Sequence, residues 1–434
     1  MTDLLDLSDR ILDGVADAAD HHPFAPRGVL AEVADDTAFV ESFANVSALR
    51  TGEGLVLVDT GSPFSAADVH RAVRGWDGSR VHTAVYTHGH IDHVFGTAPF
   101  EEEARATGEP PLEVVAHEAV PHRFDRYEAC AGYNAVINQR QFRAPGLRWP
   151  TDYRRPDTTY RDRLDLSVGG LALELHHARG ETDDATWVWV PERRTVCTGD
   201  LVIWCAPNAG NPQKAQRYAA DWAVALRAMA ALEPELLLPG HGLPVRGRAR
   251  VQAVLDDTAT LLEVLHDQTL ALMNEGARLD DIVHTVQAPE ELLAKPYLRP
   301  IYDDPEFLVR GVWRLYGGWY DGNPAHLKPA PDAALAAEVA ALAGGASTLA
   351  DRARALAATG SDADLRLAGH LAEMAVQAGG DDPGLHRARA EVFGARARAE
   401  RSLMAQGVFR WAAQESDDAV AAAGAAPEDP APEG

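Results

Sequence analysis

Between about residues 36 and 260, apolar positions gather in short runs, and turn-forming residues separate them. Runs of this kind read as strands. The candidates are TAFV at 37–40, LVLVD at 55–59, HTAVYTH at 82–88, LEVVAH at 112–117 and LALELHHA at 171–178. TWVWVPERRTVCTG, 186–199, predicts a hairpin turning at Pro191–Arg194, and PELLLPGHG, 234–242, a buried strand entering a glycine turn. Helical spacing fits 64–74, 213–232 and 247–274. Strands alternating with helices indicate a mixed α/β layered fold.

Beyond about residue 270 the strand signals stop, and leucine and alanine recur at helical spacing. A turn-rich segment, LYGGWYDGNPAHLKP at 315–329, interrupts this texture, and two helical hairpins are expected around 333–375 and 384–418. Their small-residue helix-turn-helix look is tetratricopeptide-like, but one or two units cannot form an independent solenoid. The organisation expected is an N-terminal helical extension at 1–34, a catalytic domain at 35–265, an all-α domain at 266–420 and a disordered low-complexity tail at 421–434.

Charge changes the picture by exclusion. The chain of 434 residues carries 65 acidic and 40 basic side chains, a formal net charge of -25. Such a surface repels phosphate backbones, so a nucleic-acid partner is not expected. Three widely spaced cysteines, Cys130, Cys197 and Cys205, make neither a disulfide framework nor a zinc knuckle. The acidic start does not read as a signal peptide, and no apolar run reaches the ~18 residues needed to span a bilayer. A cytoplasmic protein without a membrane partner is the expectation.

The chemistry lies in VYTHGHIDHVFG, 85–96, where His88, His90, Asp92 and His93 fall within six positions after an apolar run. The strand ends at His88, and α/β sheets place ligand sites at the carboxyl ends of their strands. Imidazoles with carboxylates suit zinc or a similar first-row ion, which takes about four ligands. One short loop cannot wrap four ligands around one ion. Two ions sharing the loop, His88 and His90 on one and Asp92 and His93 on the other, is the economical arrangement. Three more polar residues sit at strand ends: Glu181 in HARGETDD, Asp200 in VCTGDL and His241 in LLLPGHG. His177, Asp183 and Asp184 compete with Glu181, and Asp200 is a candidate bridge holding two cations ~3.5–4 Å apart. His82, His117, His122, His176 and His326 read as core or surface histidines.

This pattern of HxHxDH, GD and PGHG resembles the metallo-β-lactamase fold superfamily over about 35–260. The resemblance implies an αββα sandwich with a dinuclear centre, two divalent ions expected to be Zn2+, and Asp59 supporting a histidine ligand. Glutamate at 181 with a second acidic residue at Asp200 is similar to the alkylsulfatases of the fold. YGGWYDGNPAHLKP, 316–329, resembles the alkylsulfatase dimerisation signature, and YNAVINQRQF, 133–142, the segment after the metal loop. The resemblance implies a homodimer and cleavage of an alkyl sulfate to alcohol and sulfate by hydroxide generated at the metal pair, with Asp92 and Asp200 as catalytic residues. Three features depart from that family. Asp200 stands where glutamate is usual, no room remains for a third, sterol-carrier-like domain, and the sulfate-holding arginine falls near 208–217 without secure alignment to Lys214 or Arg217. Asn134, Arg140 and Lys214 are the candidate anion contacts. Tyr133 is read mainly as core, and Trp319 and Tyr320 as packing at a turn. A hydrolase of another ester (thioester, lactone or phosphoester) on the same scaffold is the alternative. An iron-dependent redox role and a non-catalytic scaffold are weaker rivals.

Overall fold

The computed structural model describes residues 4–25 and 27–425. They form two compact units, one comprising the residues up to Gly132 with Arg148–Trp319, the other Tyr133–Leu147 with the chain from Tyr320 onward.

The first unit is built on two sheets. Seven strands lie in sequence order: β1 (Leu30–Ala34), β2 (Thr37–Val40), β3 (Val46–Thr51), β4 (Gly54–Val58), β5 (Val81–Val85), β6 (Glu113–His117) and β7 (Thr158–Tyr160). Pairing is antiparallel from β1 to β4 and parallel from β4 to β7. The second sheet holds β8 (Arg163–Val168), β9 (Leu171–Ala178), β10 (Ala185–Val190), β11 (Thr195–Gly199), β12 (Leu236–Pro239) and β13 (Val245–Arg246). Only β11 and β12 pair in parallel there.

The period of two in the strands explains the layering. Val56 and Val58 join one core cluster with Leu173, Leu175 and Val188 of the second sheet, whereas Leu55 and Leu57 point the other way, into a cluster with Val69, Val73, Phe100 and Phe124 of covering helices. Both faces of β4 are buried, which is why it reads as a continuous apolar run. Trp222, Leu226, Val254 and Leu262, on helices Ala219–Ala231 and Arg248–Asn274, extend the first cluster. The result is an αββα sandwich.

The N-terminal residues belong to this unit. Leu4, Leu5 and Ile11 of helix Leu4–Leu12 enter the main core, and β1 pairs with β2. The boundary expected at 265/266 falls inside helix Arg248–Asn274, and the unit runs on to Trp319. The expected helix at 213–232 starts at Ala219; Asn211 accepts from the Gln213 amide at 3.0 Å in a turn that delays it.

The second unit is all helical, with helices Pro324–Leu327, Asp332–Ala343, Ala346–Ala357, Asp362–Gly379, Pro383–Ala399 and Leu403–Ala425. Alanines 340, 350, 375 and 388 pack with Leu349 and Leu385. Residues 133–147 belong here because Gly407, lacking a Cβ, lets its helix approach the Gln141 backbone closely. Of the expected disordered tail, 421–425 extend the last helix and 426–434 lie outside the described residues. Tyr133 is 65% exposed and Trp319 71%, so neither packs as expected. No single helix among the described residues is long and apolar enough to cross a membrane; one pair, Asp332–Ala343 with Ala346–Ala357, passes that test jointly but is bent by 86°.

Candidate metal centre

The parallel strands bring their carboxyl ends to one edge of the sandwich. β4 delivers Asp59 there and β5 delivers His88, while β11 delivers Asp200 and β12 delivers His241. His90 precedes a single helical turn, Ile91–Val94, which carries Asp92 and His93. Glu181 lies in the loop between β9 and β10, whose ends are fixed by pairing of Ala178 with Ala185. Gly240 has a local reason: a Cβ there would fall on the Asp200 carboxylate.

The seven side chains form two donor groups. His88, His90, Glu181 and Asp200 make one, and Asp92, His93 and His241 the other, with donor atoms in each lying within 4.8 Å of one another. Asp200 faces both. Its Oδ2 is 3.6 Å from His88 Nε2, and its Oδ1 is 3.3 Å from His93 Nε2 and 3.4 Å from His241 Nε2. Asp92 Oδ2 lies 3.5 Å from His241 Nε2 and 3.7 Å from His93 Nε2. His93 Nε2 and Asp200 Oδ1 are buried without a well-aligned hydrogen-bond partner. Polar atoms rarely stay buried in that state, because desolvation is then uncompensated. Divalent cations satisfy them, and with Asp200 shared each group offers four imidazole or carboxylate donors.

Electrostatics divides the groups. Burial pushes His88 and His90 well below the usual imidazole range, helped by His93 for the first and His88 for the second. These rings are therefore neutral, the state a metal ligand needs. Burial also opposes charge on His93 and His241, but nearby carboxylates, Asp200 foremost, outweigh it and raise both. Asp200 is held well below the carboxylate range: burial raises it, and His93, His241 and His88 more than reverse this. Glu181 is pushed up to about 8, chiefly by burial, with Arg217 opposing and Asp200 adding.

An outer ring orients the ligands. Asp59 Oδ2 is 2.7 Å from His93 Nδ1, and Asp59 accepts from the Thr87 amide and hydroxyl, each at 2.7 Å. That carboxylate presents His93 Nε2 to the centre. Thr87 Oγ1 lies 3.0 Å from His88 Nδ1. Arg217 Nη1 reaches Glu181 Oε1 at 2.8 Å and its carbonyl at 2.5 Å, and Asn208 Nδ2 donates to the same Oε1. The Asn208 loop is pinned by buried Asp303, which accepts from the Gly210 amide at 2.9 Å and is pushed up to about 7 by its burial. Asn45 Nδ2 donates to the carbonyls of Pro239 at 3.1 Å and Gly242 at 3.0 Å, clamping the turn that carries His241.

The three competitors of Glu181 are engaged elsewhere. His177 stacks on His117 at 3.7 Å. Asp183 pairs with Arg123, and Asp184 takes Arg123 Nε at 2.9 Å and the Gly89 amide at 3.0 Å, so it anchors the metal loop. Lys214 is half-buried. Burial and then Arg217 push it down to about 8, while Glu181 and Asp92, one from each donor group, pull it back. Asn134 and Arg140 lie on helix Ala131–Phe142 and belong to the second unit, where Asn134 accepts from Asn138 Nδ2 through its carbonyl and its side chain. Asn45, Asn208 and Asp303 carried no sequence signal of a role, since each acts on a ligand distant in the chain.

Fold and site together define an αββα sandwich with a candidate two-metal centre at one edge. Residues 40–241 match the family model described as the metallo-beta-lactamase superfamily, and residues 278–419 the one described as alkyl sulfatase dimerisation. The chain is 29% identical over 321 residues to a linear primary-alkylsulfatase of a Pseudomonas sp., covering 68% of this chain and 60% of that one. It is 25% identical over 339 residues to an alkyl/aryl-sulfatase of Saccharomyces cerevisiae, covering 71% and 52%. The solved stereoselective inverting sec-alkylsulfatase Pisa1 from Pseudomonas sp. shares its fold, with a TM-score of 0.80 at 24% identity, over 90% of this chain and 66% of that one. Residues 40–241 thus carry a metallo-beta-lactamase superfamily domain and residues 278–419 an alkyl sulfatase dimerisation domain. The chain spans only part of the length of these curated relatives, 60% of the first and 52% of the second.

Proposed function

We propose that the protein is a dinuclear metal-dependent hydrolase that cleaves an alkyl sulfate ester to alcohol and sulfate. The observation that carries this reading is the pair of donor groups joined through Asp200, with Glu181 closing the first. Its support from relatives is their sulfatase names and the match at 278–419. We take the ions to be zinc; such a pair supplies Lewis acidity toward the sulfate oxygens and lowers the pKa of water toward ~7.

The chain's own residues do the rest. Arg217 and Asn208 hold Glu181 in place, and Asp59 holds His93. Lys214, whose charge acts on Glu181 and Asp92, one from each donor group, meets the anionic head of the substrate. In a chain of net charge -25 this local positive charge is what makes room for an anion. Arg217 is committed to Glu181, which favours Lys214 for the sulfate. Two copies pair through the helical unit, where Leu335, Leu342 and Leu367 are exposed.

The test is sulfate release from primary and secondary alkyl sulfates by zinc-loaded protein, against carboxyl-ester, thioester and phosphoester panels, with Asp92→Ala as control. Zinc-dependent sulfate release that Asp92→Ala abolishes supports the reading. Turnover of another ester without sulfate release overturns the substrate.

A further inference from the structure

The His241 side of the centre is walled by aromatic rings, one of them from the segment ahead of the first strand. The Phe24 ring centroid lies 4.5 Å from that of His241, 4.2 Å from Tyr302 and 5.8 Å from Phe43. Phe43 meets His241 edge-on at 5.7 Å. His241 itself is buried, yet Phe24, Phe43 and Tyr302 each keep part of their surface exposed. Rings that served solely to brace His241 would be buried with it; contiguous, partly open rings beside a candidate ligand offer an apolar surface to something that arrives.

The segment bearing Phe24 is strapped in place. Asp17 meets Arg299 at 3.6 Å, and His21 Nε2 meets the buried Glu41 at 3.1 Å. Arg27 lies 3.8 Å from the same carboxylate. Phe24 is thus presented by fixed chain on both sides. The other donor group is lined differently: Tyr127 lies 6.4 Å from His90, and Glu181 is held by Arg217 and Asn208, with Lys214 acting on it at longer range. One flank of the centre is chiefly polar and cationic, the other aromatic.

We propose that Phe24, Phe43 and Tyr302 form the seat for the organic group of the ester, so that the segment at 18–25 sets how the enzyme grades apolar substrates. The proposal rests on the hydrolase reading above. The two flanks orient a substrate with an anionic head and an apolar body, head toward Lys214 and body on the rings. Each methylene placed on the rings strengthens binding by roughly threefold to fourfold.

The experiment compares zinc-loaded wild type, Phe24→Ala and Phe24→Leu on n-alkyl sulfates from methyl to octyl. Calorimetric binding of the non-hydrolysable n-alkylsulfonates of the same lengths runs in parallel, with zinc content as a further readout. The expected result is a loss in Phe24→Ala that grows with chain length, from about twofold for methyl to more than about tenfold for octyl. Phe24→Leu retains most of the gradient, and both variants keep their zinc. An equal loss at every length accompanied by loss of zinc overturns the proposal, since Phe24 would then only brace His241. A gradient as steep in Phe24→Ala as in wild type overturns it too. Should wild type release no sulfate at all, the function fails separately, and the sulfonate gradient still decides the seat: Phe24-dependent supports it, absent or Phe24-independent overturns it.

Discussion

The two donor groups share Asp200 and are fed by one loop, yet they are held by different means. On the Glu181 side the support is side-chain polarity: Arg217 and Asn208 converge on one carboxylate oxygen. On the other side Asp59 orients His93, and His241 itself is held by backbone clamping from Asn45 and packing by Phe24 and Phe43. Charge follows the same division. His88 and His90 are pressed toward neutrality, whereas His93 and His241 sit among carboxylates that raise them. A shared bridge therefore joins one flank suited to an anionic head and one suited to an apolar body.

The change that breaks both flanks at once has the largest effect. Asp200→Asn removes the negative charge that faces the two groups, and activity should fall on the order of 10³-fold or more, with loss of both ions by metal analysis. A smaller effect separates the flanks. Arg217→Ala removes the hydrogen bonds to the buried Glu181 side chain and carbonyl and should lower stability by about 1–3 kcal/mol in urea unfolding of the metal-free protein, where the acid, already pushed up to about 8, stays protonated. It should also weaken one of the two zinc equivalents ~10–100-fold, as loss of a group that orients a ligand does. Asn45→Ala, the counterpart on the other side, should weaken the other equivalent and leave the Arg217–Glu181 pair standing.

The last effect is confined to pH dependence. Asp303 is buried and pushed up to about 7, against an ordinary 3.8. Between those values the folded protein binds more protons at this group than the unfolded chain, so its contribution to stability falls as pH rises through the window. Asp303→Asn cannot ionise and should flatten the fall in the urea midpoint between about pH 4 and 7 relative to wild type.

What the sequence revealed was local. HxHxDH and the strand-end positions of Asp200 and His241 are short patterns tied to the ends of apolar runs, so the donors could be named without knowing what packs beside what. β9 and the hairpin of β10 and β11 were legible from alternation and a polar turn. Glu181 was favoured over His177, Asp183 and Asp184 by its place just after Gly180 and then by the resemblance, but periodicity alone did not decide among them, because side-chain direction in a tight loop is set by partners such as Arg123 and Arg217 that lie far away in the chain. Asn45, Asn208 and Phe24 were invisible for the same reason. The boundary at 265/266 followed a shift in composition, but helix Arg248–Asn274 crosses it without a breaker because its Leu261, Leu262 and Leu265 belong to the sandwich core. β8 is exposed along much of its length, which weakens its apolar signal.

The central claim is that one centre holds two ions through Asp200. Its most direct test is stepwise zinc titration of metal-stripped protein, reading bound zinc and sulfate release together. The account predicts saturation at two equivalents per chain, with Asp200→Asn impairing both. Saturation at one equivalent, with full sulfate release and no effect of Glu181→Gln on zinc binding, would contradict it.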